Sequence, residues 1–264
     1  MHSVFIDELD AQTYAEHVAR TGSTIIIPAG ATEQHGPHMP LGVDAMLSRS
    51  IAEAVAQLTG ALVAPALCYG YKSQPRSGGG NHRVGTTSLG GTSLSLMVED
   101  VVASFISQGF DNVVLLNGHF ENYQFLYEGV DNAVAKTRTA GSTARAILLS
   151  YWDFVDENTL AKVFPDGFLG WDIEHGGILE TSLMLLLHPQ LVDMDRVIDH
   201  PPAKLTAYDI FPEDPARTPD SGCLSSAKGA TAERGQLLFE TVTDQVAQAL
   251  KGELLLGDVN IEVN

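Results

Sequence analysis

The chain has 264 residues, of which 44% are hydrophobic and 18% charged, a composition typical of a globular domain with a sizeable core. Its formal net charge of −18 argues against nucleic acid and anionic membrane surfaces as partners, because both bind cationic patches. The two cysteines, Cys68 and Cys223, lie outside any C-x-x-C pair, which excludes a disulfide framework and a thiolate zinc site.

Short apolar runs alternate along the chain with segments of helical periodicity. The predicted elements, in chain order, are a helix at Asp7–Val18, a buried strand at Ser23–Pro28, a helix through Leu47–Leu58 that Gly60 ends, a weaker strand at Ala61–Leu67, a helix capped by Thr92 or Ser93 and ended by Gly109, a strand at Asn112–Leu116, a helix at Tyr123–Lys136, a strand at Ala144–Ser150, and helices at Val155–Phe164, Ile178–Leu187 and Ala232–Leu250. This alternation predicts a three-layer α/β/α fold with a largely parallel central sheet, in a single domain over residues 1–264.

Three segments between these elements are predicted to be irregular. Cys68–Gly91 is rich in glycine, Phe168–Gly177 is crowded with polar side chains, and Pro201–Gly222 reads as a long surface excursion with five prolines. No apolar run is long enough to span a bilayer, and the first ten residues lack the pattern of a signal peptide. We therefore expect a cytoplasmic protein that does not bind membranes.

Two mirror-image pairs of polar residues follow two of the predicted strands. Glu33-x-His35 comes after the first strand and His119-x-Glu121 after the third. Residues at i and i+2 of an extended segment project to the same side, and the carboxyl ends of parallel strands are where ligands bind. With Asp44 as a fifth, bridging ligand, these residues form a donor set for two divalent ions, and nitrogen and oxygen donors without thiolate suit Zn²⁺ or Mn²⁺.

Each of these residues also has a purely structural interpretation. Glu-x-His pairs occur by chance, Asp44 could cap the helix that follows it, and His119 could be a hydrogen-bonded core histidine. His38 is a spare ligand candidate and is better explained by a supporting role. Glu180 could interact favourably with a helix dipole, or it could orient a ligand histidine by contacting the side of the ring away from the metal.

A second polar cluster, GWDIEHGG, spans residues 170–177. On one helical turn Trp171 and His175 would share a face. Such a histidine is a candidate proton carrier, and the tryptophan could pack on a flat ring; the alternatives are a core tryptophan and a capping histidine. No G-x-G-x-x-G follows a strand, and there is neither a G-K-[ST] phosphate loop nor a G-x-S-x-G elbow. Ser77, in RSGGGN, is therefore a candidate substrate contact and not a nucleophile.

With these motifs in view, the chain resembles the creatininase (creatinine amidohydrolase) family over nearly its whole length. The shared segments are TEQHGPHMPLGVD, SGGGNH, NGHFEN, GFLGWDIEHGG and ETSLML. The resemblance implies reversible hydrolysis of the cyclic amide of creatinine to creatine, in which a metal-bridging hydroxide attacks the lactam carbonyl. It also implies a homohexamer, which no feature of the sequence itself indicates.

The resemblance assigns further roles residue by residue. Glu33 and His119 would bind an Mn²⁺ site, His35 and Glu121 a Zn²⁺ site (or both sites Zn²⁺), and Asp44 would bridge them. His175, Glu121 and Trp171 would be catalytic. The predicted substrate contacts are Ser77, Phe120, Trp171, Asp172, Ile173, Glu174 and His175. Phe120 stands where creatininases carry Tyr, so one hydroxyl that could touch substrate is missing.

Two other functions remain open from the sequence. The chain could be an amidohydrolase of the same family that acts on another amide, formamide, lactam or peptide bond. It could also be a non-catalytic protein that binds metal for structural reasons, in which case protein atoms would fill every coordination position.

Overall fold

The computed structural model describes residues 3–255, and their centre is a four-stranded, wholly parallel sheet. Its strands are β1 (Thr24–Ala29), β2 (Leu62–Val63), β3 (Asn112–Asn117) and β4 (Arg145–Ser150), in the spatial order β2-β1-β3-β4. Ala29 pairs with Asn117, and Asn117 pairs with Ser150. The carboxyl ends of the three longer strands therefore lie at the same level.

Seven α-helices surround this sheet in the described part of the chain. They are α1 (Ala11–Val18), α2 (Val43–Thr59), α3 (Gly91–Gln108), α4 (Tyr123–Thr139), α5 (Glu157–Val163), α6 (Ile178–Leu187) and α7 (Ala232–Leu255). Short 3₁₀ turns at Phe120–Asn122, Tyr151–Phe154 and Trp171–Ile173 lie in the connections near the strand ends.

Alternate strand residues build two hydrophobic cores, one on each face of the sheet. Ile26, Val114 and Leu116 pack with residues of α2, α6 and α7. Ile25 and Leu115, on the opposite face, pack with residues of α3 and α4. Because both faces are covered, the strands are apolar at nearly every position, as parallel strands usually are. This arrangement confirms the predicted three-layer, single-domain α/β/α fold with a parallel sheet.

Some predicted elements differ in detail from the structure. The Asp7–Val18 helix is split into a 3₁₀ turn at Ile6–Glu8 and α1, because Asp10 caps α1 by accepting the amides of Gln12 and Thr13. The predicted Thr92 or Ser93 cap of α3 is wrong, since Gly90 precedes the helix and no side chain caps it.

The predicted Ala61–Leu67 strand is also shorter in the structure. It keeps only the two residues of β2, with a single further bridge between Leu67 and Ala29. The intervening Pro65 lacks the N–H that a continuous ladder needs. Among the described residues, no helix has the length and hydropathy required to cross a bilayer.

Candidate metal centre and active site

The two predicted ligand pairs meet at the carboxyl end of the sheet. Glu33 and His35 follow β1, whereas His119 and Glu121 follow β3, and all four side chains are buried. Since β1 and β3 are hydrogen-bonded neighbours in register, the loops that leave them start side by side. The structure therefore brings together residues that are about ninety positions apart in the chain.

Asp44 lies between the two pairs. It occupies the first turn of α2, but Gly42 is the residue at the N-cap, so Asp44 does not cap the helix. Its Oδ1 is 2.9 Å from His35 Nε2, and its Oδ2 is 3.0 Å from His119 Nδ1. The two oxygens of one buried carboxylate thus face two different histidines, which is the geometry expected of a bridging ligand.

Two groups of potential ligands share this carboxylate. In the first, Glu33 Oε2 lies 3.1 Å from His119 Nδ1, and Glu33, Asp44 and His119 each offer an atom to a common point. In the second, Glu180 Oε1 lies 3.6 Å from His35 Nε2, and His35, Asp44 and Glu180 converge in the same way.

The position of Glu180 differs from the one expected of a residue that orients His35 from behind. The far side of the His35 ring is occupied by a backbone carbonyl, since Nδ1 lies 3.1 Å from the carbonyl oxygen of Glu33. Glu180 approaches Nε2, the nitrogen that faces Asp44. Its other oxygen accepts the backbone N–H of Gly176 at 2.7 Å.

Glu121 lies beside the centre but belongs to neither group. One of its oxygens accepts the Ser77 hydroxyl at 2.6 Å and the Gln74 backbone N–H at 2.9 Å. The other is 3.4 Å from His119 Nε2, on the side of the ring away from Asp44. The structure therefore links Glu121 to Ser77 and to the back of His119.

The charges of the cluster fit bound cations. Burial raises the pKa of Glu33 to about 7. Burial also opposes ionisation of Asp44, but the neighbouring imidazoles of His35 and His119 outweigh it and lower the pKa of this carboxyl. Burial opposes protonation of both histidines, but Asp44 and Glu180 raise the pKa of His35, and Glu121 and Glu33 raise that of His119. Within residues 3–255 no Lys or Arg pairs with these carboxylates.

Several ligand atoms also lack a hydrogen bond. Glu33 Oε1, Asp44 Oδ2 and His35 Nε2 are buried without a hydrogen-bond partner in the described structure. Separations near 3 Å without hydrogen-bond geometry are those of two atoms that bind one ion, because Zn–N and Zn–O distances are about 2.0–2.2 Å. Buried polar atoms are normally paired, so the donor set present here fits two divalent ions.

His175 lies at the edge of this cluster. Its Nδ1 is 3.9 Å from Glu33 Oε2, and its ring centre is 4.3 Å from that of His35. Its Nε2 is 2.8 Å from the carbonyl oxygen of Gln34. Burial and the neighbouring His35 lower the pKa of His175 well below its ordinary value, which favours the neutral imidazole.

A small, partly open cavity lies above these residues. It is lined by the carboxylates of the centre, by His119 and His175, by Ser77 and Glu174, and by four aromatic residues: Phe120, Tyr151, Trp152 and Trp171. Phe120 and Trp152 are stacked with their ring centres 6.0 Å apart. Phe120, Trp152 and Trp171 are at least partly exposed, and such rings suit a flat, conjugated ligand.

The cavity differs in part from the predicted set. Asp172 and Ile173 do not line it, and Asp172 is exposed, so their contact with substrate stays a prediction. Tyr151 and Trp152 were not predicted, although they directly follow β4 and the rule that ligands bind beyond strand ends could have indicated them. His38 is buried and hydrogen-bonded to Thr181 through Nε2 at 3.0 Å, away from the ligand groups.

Comparison with known proteins gives a consistent result. A family model described as creatinine amidohydrolase matches residues 7–250. Creatinine amidohydrolase of Pseudomonas putida is 51% identical over 253 residues, which are 95% of this chain and 97% of that protein.

Solved creatininase structures agree along almost the whole chain. A Mn form superposes with a TM-score of 0.94, and a mutant complexed with creatine superposes with 0.93. Each is 50% identical and covers 96% of this chain and 99% of its own. The extent of the match and the ligand groups at the strand ends together show that this chain belongs to the creatininase family.

Proposed function

We propose that the protein hydrolyses the cyclic amide of creatinine to creatine, reversibly, at a centre that holds two divalent metal ions. The observation that carries the proposal is the Asp44 carboxylate, whose two oxygens face His35 and His119 separately. The 51% identity to a creatinine amidohydrolase over nearly the whole chain supports the choice of substrate.

Five residues are the best candidates to hold the ions. Glu33, His119 and Asp44 would bind one, and His35, Asp44 and Glu180 the other. The family resemblance assigns Glu121 to the second ion, but its hydrogen bond to Ser77 and its place behind His119 favour Glu180. When bound, such ions activate water as a nucleophile at neutral pH and polarise a carbonyl oxygen.

His175 is the proposed proton carrier. A carbonyl oxygen only accepts hydrogen bonds, so the contact with Gln34 places the proton of the neutral ring on Nε2. The lone pair on Nδ1 then faces Glu33 and the cavity. From this position Nδ1 can take a proton from the attacking water and deliver it to the ring nitrogen that leaves when the C–N bond breaks.

The remaining residues of the cavity would bind the substrate. Trp171, Trp152 and Phe120 offer aromatic surfaces to the flat lactam ring. Trp171 lies between Gly170 and Gly176, both with positive φ, and we propose that this segment closes over the substrate and excludes water. Ser77, held by Glu121, lines the same cavity and is a polar contact for the guanidino group.

Two measurements test the proposal. Removal of metal by a chelator should abolish creatinine hydrolysis, and Zn²⁺ or Mn²⁺ should restore it; undiminished turnover by metal-free protein rules out the dinuclear mechanism. Replacement of His175 by Ala should lower kcat by about 10²–10⁴-fold with both ions retained, the range for loss of a general acid–base group. A wild-type kcat in His175→Ala removes the proposed carrier.

A substrate panel distinguishes this function from others in the family. Creatinine should be turned over with a much higher kcat/KM than formamides, other lactams or short peptides under identical metal loading. If another amide is preferred, the dinuclear centre stands and the assigned substrate is wrong. We further propose a cytoplasmic homohexamer, as the family resemblance implies, and light scattering coupled to size-exclusion chromatography measures its mass.

A further inference from the structure

The Gln34 side chain, between two metal-ligand residues, points away from the metal centre. Its Nε2 donates to the carbonyl oxygen of Gly222 at 2.7 Å, and its Oε1 accepts the backbone N–H of Gly36 at 3.1 Å. Both bonds agree on which amide atom is nitrogen and which is oxygen, so the orientation of the side chain is well determined. Gln34 is buried, and its bond to Gly222 is buried with it.

The backbone carbonyl of the same residue contacts the proposed proton carrier. His175 Nε2 lies 2.8 Å from Gln34 O and 3.2 Å from Gln34 Nε2. The carbonyl oxygen can only accept, so the shorter contact of 2.8 Å requires a proton on His175 Nε2, and a nitrogen that carries this proton cannot also accept the second N–H of Gln34 Nε2. The backbone of His175 is tied to the same region, since its carbonyl accepts the N–H of Leu224 at 3.0 Å.

These hydrogen bonds link three separate segments of the chain to one another. The segments are the loop after β1, the turn before α6 and residues 222–224, which follow the proline-rich excursion. Gly222 has a φ of +83°, and a Cβ there would collide with Gln34 Oε1. A glycine at position 222 is therefore required for the Gln34 side chain to lie where it does.

We propose that Gln34 is a positioning residue that fixes the tautomer and orientation of His175 through its bond to Gly222. The Gln34–Gly222 bond holds the Gln34 carbonyl in place, the carbonyl holds the proton of His175 on Nε2, and Nδ1 is left unprotonated toward the cavity. Partners that orient a functional histidine in this way typically contribute about 10–100-fold to its function. This inference rests on the proposed function for its kinetic consequence but not for its structural one.

The decisive variant is Gln34→Met, which keeps the length of the side chain and removes both of its hydrogen bonds. The protein is labelled with ¹⁵N-histidine and loaded with Zn²⁺, which is diamagnetic, and the His175 signals are assigned from their absence in His175→Ala. The wild-type ring should show a single tautomer protonated at Nε2, and Gln34→Met should show a mixture. A ring that stays fully in the Nε2–H form in Gln34→Met overturns the proposal.

Kinetics give a second, separate readout. Gln34→Met should lose about 10–100-fold in kcat, with KM changed less than about threefold and two ions retained per chain. An unchanged kcat also overturns the proposal. If the wild-type protein does not hydrolyse creatinine, the proposed function fails, whereas the tautomer comparison still decides the role of Gln34.

Controls separate the effect from a general loss of packing. Gln57→Met makes the same exchange at an exposed position of α2 and should leave kcat and the His175 signals unchanged. Gly222→Ala displaces Gln34 without altering it and should reproduce the tautomer mixture. Gly141→Ala imposes the same kind of backbone strain at a φ of +91°, but its Cβ would have no neighbour within 4 Å. This variant should keep the single tautomer of His175.

Discussion

Replacement of Asp44 by Asn should release both metal ions at once. Asp44 is the residue shared by the two ligand groups, and each of its oxygens lies about 3 Å from a different histidine. Asparagine keeps the shape but has no charge, and it offers one oxygen instead of two. Glu180, by contrast, belongs to one group only, so Glu180→Gln should release one ion.

The size of the effect follows from linkage between binding and folding. An ion at a free concentration of a hundred times its Kd stabilises the folded state by ~2.7 kcal/mol, so two ions contribute ~5 kcal/mol. In a domain of this size 1 kcal/mol shifts Tm by about 2–4 °C. Chelation should therefore lower the Tm of the wild-type protein by about 10–20 °C, that of Glu180→Gln by about half as much, and that of Asp44→Asn by less than about 3 °C.

The assay combines metal analysis with thermal unfolding. Each variant is dialysed against buffer with free Zn²⁺ at about a hundred times the wild-type Kd, its bound metal is measured, and its Tm is recorded in that buffer and in excess chelator. Asp100→Asn, an exposed exchange of the same type in α3, should behave like the wild type. Two retained ions in Asp44→Asn, or a wild-type shift of its Tm on chelation, would refute the bridging role.

Three further predictions concern single side chains. Burial raises the pKa of the Cys223 thiol to about 11. In the native protein at pH 8, iodoacetamide should therefore label only the exposed Cys68, whereas in denaturant it should label both thiols. Mass spectrometry counts the labels. Burial raises the pKa of Glu174 from 4.5 to about 8, so the folded protein holds a proton that the unfolded chain releases. The contribution of Glu174 to the stability of metal-free protein is thus fully present below about pH 4.5 and is lost as pH rises through 8. In urea titrations at several pH values, Glu174→Gln should lack this loss, which is on the order of a few kcal/mol. An equal pH dependence in both proteins contradicts this. Phe120→Tyr adds a hydroxyl to a partly exposed ring of the cavity wall. The KM for creatinine should fall, while the free energy of unfolding should change by less than about 0.5 kcal/mol. An unchanged KM would show that the hydroxyl does not reach the substrate.

The features that the sequence predicts well are those with local causes. The apolar runs of β1 and β3 are buried on both faces of the sheet, and such runs read as strands without knowledge of what covers them. Because the sheet is parallel, the paired residues that follow these two strands lie at the same edge of it. The sequence therefore predicts that Glu33, His35 and His119 lie together, and it adds Asp44 as the residue that completes their set.

The features that the sequence does not predict depend on contacts between distant loops. The sequence predicts Glu121 as a ligand and Glu180 as a residue that orients a ligand histidine, and only the folded chain shows Glu121 bonded to Ser77 while Glu180 reaches His35. The Gln34–Gly222 bond joins residues 188 positions apart, and no periodicity or capping rule connects them. Such contacts come from tertiary packing, which local patterns do not contain.

The two strand ends also explain how one helix can supply the shared carboxylate. Gly30 directly follows β1 and Gly118 directly follows β3. A Cβ at Gly30 would collide with the backbone of Ala45, and one at Gly118 would lie 2.6 Å from the carbonyl oxygen of Asp44. The absence of side chains at these two positions lets the first turn of α2 lie directly on both strand ends. Asp44 can therefore reach His35 and His119 together, and the glycine-rich character of the loops is a geometric requirement of the bridge.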